Sequence, residues 1–137
     1  MNNIQFKKAI VRLEEMREKY NHLPAEYDEV LKGAMQDSLV KRFEYTLEMA
    51  WKSCKRHLSE EGYSEVKRMG PKTLMRFAGT MNLVSDTESW NRYFDARNGA
   101  HPDDFEVHTD SILAVVDDFY EDVTALYQTI CGEAWND

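Results

Sequence analysis

Three prolines and six glycines among 137 residues leave little that could interrupt a helix. The two cysteines, Cys54 and Cys131, lie far apart within apolar helical patterns. That excludes a disulfide framework and offers no zinc-type spacing, so two free thiols and no bound metal are expected. No run of about 18 apolar residues is present to span a membrane. The opening MNNIQFKK enters a charged helix without the apolar region of a signal peptide, so a soluble, cytoplasmic chain is expected. Repeats, low-complexity tracts and Pro/Gly/Ser-rich linkers are missing too, which makes residues 1–137 one domain. Neither a phosphate-cradling Gly-rich loop nor a nucleophile elbow occurs, and no cofactor is expected. The Gly-Ser and paired aspartates of a nucleotide-transferring site are also lacking, so the chain is not expected to transfer nucleotides alone.

Charge is present and uneven. The net charge is −8, yet residues 1–97 hold all 17 Lys and Arg against 15 acids, while residues 103–137 hold 10 acids and no Lys or Arg. An acidic last helix with a solvated outer face is expected, able to steer a basic partner. Tight non-specific nucleic-acid binding is not, because that needs many cations on one surface.

The hydrophobic pattern is helical throughout. Phe6, Ile10, Leu13, Met16 and Tyr20 recur every three or four residues, predicting a first helix over about 3–20. A turn follows at 21–23, and Pro24 suits the start of a second, long helix over about 25–60. Its stripe runs Val30, Ala34, Leu39, Phe43, Leu47, Ala50, Cys54, Leu58, with Gly33 a possible kink and Gly62 the stop. Pro71 opens a third helix to about Met81. Ser85-Asp86-Thr87-Glu88 reads as a capping box for a short helix ending near Ala96. A last helix is predicted over about 104–131, with Ile112, Val115, Phe119, Val123, Leu126 and Ile130 inward. No segment alternates with period two. The fold class is all-α: an antiparallel up-and-down bundle of four main helices plus one short one.

Two segments hold polar residues that core packing does not account for. In Asp37–Lys52 (DSLVKRFEYTLEMAWK), Arg42, Glu44, Glu48 and Lys52 remain once Leu39, Phe43, Leu47 and Ala50 are assigned to the core. Glu48 and Lys52 have the favourable spacing and order for a helical ion pair. In Trp90–His101 (WNRYFDARNGAH), Arg97, Asn98 and His101 gather at a helix end, which can serve as a hydrogen-bond cluster or as a phosphate site. His22, His57 and His108 are isolated in sequence and are expected at the surface. Lys67, Arg68, Lys72 and Arg76 are expected as a solvated basic turn facing the acidic last helix. Tyr45, Met49, Trp51, Trp90, Tyr93 and Phe94 exceed what one set of inward stripes holds. That predicts a homodimer through Trp90–Phe94 or the Tyr45/Met49 side.

The order Asp, Arg-Phe-Glu-Tyr-Thr, Glu, Trp-Lys in the first segment resembles the nucleotidyltransferase substrate-binding proteins, a branch of the HEPN superfamily. The likeness continues through Gly62, Pro71-Lys72, Asn82-Leu83-Val84, Asp86, Trp90 and Arg97-Asn98. It implies a helical bundle that dimerises and acts as the accessory, substrate- or nucleotide-binding partner of a separate small nucleotidyltransferase, as in a toxin–antitoxin pair. Arg42, Glu44, Glu48, Lys52, Arg97 and Asn98 are the implied ligand-binding residues. Some HEPN relatives are instead metal-independent ribonuclease toxins, which would make Arg97 and His101 catalytic toward RNA. Their signature separates Arg from His by four to six residues, whereas three separate Arg97 from His101 here. Asp103 also stands where those toxins often carry a tyrosine that their partner modifies, and Phe105 is the nearest aromatic. A structural dimer without ligand is the third reading.

Overall fold

The computed structural model describes residues 3–99 and 104–135. Its elements are α1 (Ile4–Asn21), α2 (Glu29–Glu60), a 3-10 turn (Ser64–Arg68), α3 (Pro71–Thr80), α4 (Thr87–Asn98), α5 (Phe105–Leu113) and α6 (Val116–Cys131). The described residues contain no strand. The expected all-α bundle is therefore observed, with six α-helices among the described residues in place of five.

α2 is the axis of the molecule: α1 lies along it, and the 3-10 turn, α3, α5 and α6 also pack on it. It runs unbroken through Gly33. Its start is set by Asp28 rather than Pro24. The Asp28 carboxylate accepts hydrogen bonds from the Val30 and Leu31 amides at 2.8 and 3.2 Å, while Pro24 sits in a preceding turn. The first turns of α2 project past the core, so Val30 is 80% exposed and Ala34 is also exposed, contrary to the predicted stripe. From Leu39 onward the stripe holds, through Phe43, Leu47, Ala50, Cys54 and Leu58.

The predicted last helix divides in two. The Val115 amide bonds to Ile112, three residues back, and Val115 leaves helical geometry at φ −113°, ψ −6°. Val115 and Val116 are both buried at this bend. α4 is capped by Asp86, not by Ser85: Asp86 accepts from the Glu88 and Ser89 amides at 3.1 and 3.3 Å.

Phe119 of α6 is the hub of the core. Phe43, Trp90 and Tyr93 meet its ring edge-to-face at centroid distances of 4.8, 5.9 and 5.3 Å. Trp90, Tyr93 and Phe94 are all buried within one chain, so they form no exposed patch for a second copy. Tyr45 remains half-exposed.

Candidate functional site

Glu44, Glu48 and Lys52 follow one another at intervals of four residues and so share one face of α2. The last turn of α4 delivers Arg97 to that face. Its Nη1 donates to Glu48 Oε2 at 3.0 Å, and its guanidinium lies 5.3 Å from the centre of the Phe94 ring. The other carboxylate oxygen of Glu48 is 3.3 Å from Lys52 Nζ. One carboxylate thus bridges two cations, and Arg97, a fifth exposed, is held between an aromatic face and an acid.

Beyond Arg97 the chain turns at Gly99, whose φ of +68° is a conformation that side chains resist. A Cβ there would also come within 3.2 Å of the His108 ring. His108, at the first turns of α5, places Nε2 3.6 Å from Glu44. It is three-quarters buried rather than a surface residue, and sequence spacing could not show this, because α5 folds back on α2 only in the tertiary structure.

Arg97 and Asn98 also line a cleft of about 350 Å³ with Phe94 and the start of α3, Gly70 to Thr73. The first-turn amides of α3 have no acceptor within the helix, which makes its N-terminus an electropositive wall. Lys72 stands in the same wall and pairs with Asp95 of α4, not with the acidic last helices as expected. Two cations, one amide side chain and a helix N-terminus around one cleft can hold a phosphate or carboxylate.

The expected site residues therefore separate into two groups. Glu44, Glu48, Lys52, Arg97 and Asn98 come together, joined by His108. Arg42 does not: it lies on another side of α2, where Nη1 donates to the Arg12 carbonyl at 2.6 Å. A step of two residues, from 42 to 44, turns a helix by about 200°, so adjacency in the motif meant opposite faces. His101 and Asp103 lie outside the described residues.

The described residues contain no group of three or more His, Cys, Asp or Glu side chains placed to hold a metal ion, and no helix long and apolar enough to cross a membrane.

Residues 2–131 match the family described as nucleotidyltransferase substrate binding protein like. No curated protein is significantly similar to the chain. Among solved structures, a Haemophilus influenzae protein is similar over 95% of this chain and 99% of its own, with a TM-score of 0.77 and 23% identity. That structure is described as revealing the fold of a substrate binding domain of a nucleotidyltransferase. At this identity the likeness is one of fold.

Proposed function

Because this chain belongs to the nucleotidyltransferase substrate-binding protein-like family, we propose that it is the accessory subunit of a separate small nucleotidyltransferase and holds a phosphate-bearing substrate or nucleotide for it. The family match across 2–131 carries this reading. Transfer chemistry has no residues to run on in this chain, which lacks the Gly-Ser and paired aspartates that such chemistry uses. What the chain does have is a cleft with Arg97, Asn98, Lys72 and the start of α3 on its walls. In this role Arg97 binds the phosphate, Glu48 and Phe94 set the direction of its guanidinium, and Lys52 balances Glu48 when the ligand arrives.

The test is co-expression with whatever the neighbouring gene encodes, followed by calorimetric titration of nucleotides into the purified chain and into any complex formed. Arg97→Ala is expected to weaken a phosphate-bearing ligand by about 1.5–3 kcal/mol, the range for a hydrogen bond to a charged group. Failure of the two proteins to co-purify, together with unchanged ligand affinity in Arg97→Ala, overturns the proposal.

Against the ribonuclease reading stand the three-residue spacing from Arg97 to His101 and Asp103 in the place where those toxins often carry a tyrosine. Little or no metal-independent RNA cleavage is expected from the isolated protein. Robust cleavage that disappears in His101→Ala would replace the accessory role with an enzymatic one.

A further inference from the structure

The histidines of the chain are not placed alike. His22 and His57 each pair with a glutamate one turn away on or beside their own helix, Glu18 and Glu61. His101 lies outside the described residues. His108 instead joins three helices at the edge of the Glu48–Arg97 cluster. Its Nε2 is 3.6 Å from Glu44 of α2, and its Nδ1 lies 3.2 Å from the place a Cβ on Gly99 would take. Gly99 ends α4 two residues beyond Arg97.

Local structure fixes this placement. Asp104 accepts from the Val107 amide at 3.1 Å and so sets the start of α5, one turn before His108. Gly99, at φ +68° and without a Cβ, lets the end of α4 close onto the imidazole; a larger residue would be strained in its backbone and crowded by the ring. The ring is thus seated against the turn that follows Arg97.

The charges around the ring are unevenly matched. Glu44 and Glu48 stand one turn apart on α2, where like charges repel. Glu48 meets two cations, Arg97 and Lys52. Among the described residues, Glu44 has only His108 within ion-pair distance. Arg97 stands at the end of α4, and Lys41, one turn before Glu44, is exposed. Of the acids on α5 and at its start, Asp104 is engaged with a helix amide, while Glu106 and Asp110 are exposed. The first acids of α6, Asp117 and Asp118, are held by Arg17 and Arg92. Glu44 is therefore balanced within this cluster only when the imidazole carries a proton.

We propose, resting on the reading of the cleft as an anion site, that His108 is a proton-dependent positioning residue for Arg97. Its charged imidazole pairs with Glu44, cancels one of the two carboxylates on this face, and holds the end of α4 where Arg97 meets an anion. A neutral His108 leaves Glu44 uncompensated, and that negative charge opposes an arriving phosphate. Anion affinity therefore rises as pH falls through the range of about 5 to 8 in which imidazoles ordinarily gain their proton.

Two measurements test it. In the ligand-free protein, an NMR titration between about pH 5 and 8 is expected to give one midpoint shared by the His108 ring, the Gly99 amide and the Arg97 side chain. His108→Gln, polar but uncharged, should abolish the Gly99 and Arg97 steps, whereas His101→Gln should keep them. Glu44→Gln should move the shared midpoint to lower pH, because the charged ring loses its partner. The second measurement is NMR titration at low salt with sulfate, whose own charge is constant over this range. Sulfate should bind about three- to tenfold more tightly at the acidic end than at the basic end, on the order of one unit charge acting near a protein surface. That gain should be lost in His108→Gln and kept in His101→Gln, with circular dichroism checking that each variant is folded. The absence of a shared midpoint, a sulfate gain that survives in His108→Gln, or one that disappears in His101→Gln each overturn the proposal. An unchanged midpoint in Glu44→Gln also overturns it, and this variant decides the matter should His108→Gln not fold. A shared midpoint without sulfate binding at any pH would support the Glu44–His108 clamp and overturn the anion-site reading instead.

Discussion

Phe43 and Cys54 show how strongly single positions in the core of this bundle are determined. The Phe43 ring is fully buried against Phe119, so Phe43→Ala removes both the transfer energy and the edge-to-face contact, and a destabilisation of about 3–5 kcal/mol is expected. Glu60→Ala, exposed near the end of the same helix, should change stability by less than about 0.5 kcal/mol. Urea denaturation of the two variants checks the pair, and similar midpoints would mean that the inward face of α2 is wrongly assigned. Burial pushes the Cys54 thiol up to about 12 and raises Cys131 less far. Because the thiolate is the reactive form, Cys54 should resist a disulfide reagent in the native protein while half-buried Cys131 is modified. Two thiols reacting at equal speed before unfolding would contradict that burial. Asp122 is a different case. Burial raises its pKa, against the lowering effect of the hydrogen bond from the Tyr93 hydroxyl, and nearby Asp86 and Asp118 raise it further while Arg92 lowers it. A carboxyl whose folded pKa lies above its unfolded value binds its proton more tightly when folded. Its ionised form therefore lowers stability at neutral pH, and the penalty disappears as pH falls below the unfolded value. Asp122→Asn keeps an acceptor for Tyr93, so it should be at least as stable as the parent at pH about 7 and lose that advantage near pH about 3. A marked loss at neutral pH would show that the charge itself supports the fold.

At the scale of elements, the starts of α2 and α4 depend on one carboxylate each. Asp28 and Asp86 each receive two backbone amides, and alanine at either position should cost about 1 kcal/mol. Ser85→Ala should cost almost nothing, although Ser85 with Glu88 fits the capping-box spacing. Thermal melts of the three variants separate the assignments. The same contrast marks where sequence pattern stopped being informative. Every main helix was legible because apolar residues recur at helical spacing, and Pro71 and Gly62 marked boundaries that the structure keeps. The division at Val115 was not legible, since neither glycine nor proline marks it and the stripe from Ile112 to Ile130 is continuous. It rests on the three-residue turn at Val115, a local backbone geometry that apolar spacing does not reveal. The candidate site follows the same rule. The Glu44–Glu48–Lys52 face could be read from helical spacing, and so could the place of Arg97 at the end of α4. Their meeting could not, nor could His108 joining them, because these contacts join helices far apart in the chain. Arg42 was grouped with the others by its place in the motif, and helix geometry sends it to the opposite side.

At the scale of the molecule, charge is distributed by fold rather than by sequence order. Residues 103–137 are uniformly acidic, yet Asp117 and Asp118 are tied to α1 and α4 by Arg17 and Arg92, and Asp122 accepts from Tyr93. The acids of this stretch left without a partner in the same chain are therefore fewer than 10. Salt acts on this arrangement in two opposite ways. It weakens the pairs that join helices, Arg17–Asp117, Arg92–Asp118, Lys72–Asp95 and Arg97–Glu48, each partly exposed. Exposed pairs typically contribute about 0–1 kcal/mol each. It also screens the self-repulsion of a chain with net charge −8, which opposes the compact state. The core holds every helix through buried aromatic and aliphatic side chains, so the pairs orient the helices more than they hold them together. Stability at neutral pH should therefore stay level or rise slightly between about 10 and 300 mM salt, a range over which the screening length falls several-fold. Thermal or urea denaturation of the parent protein across that range is the measurement. A clear fall in stability with salt would show that the ion pairs, not the Phe119-centred core, set the strength of the bundle.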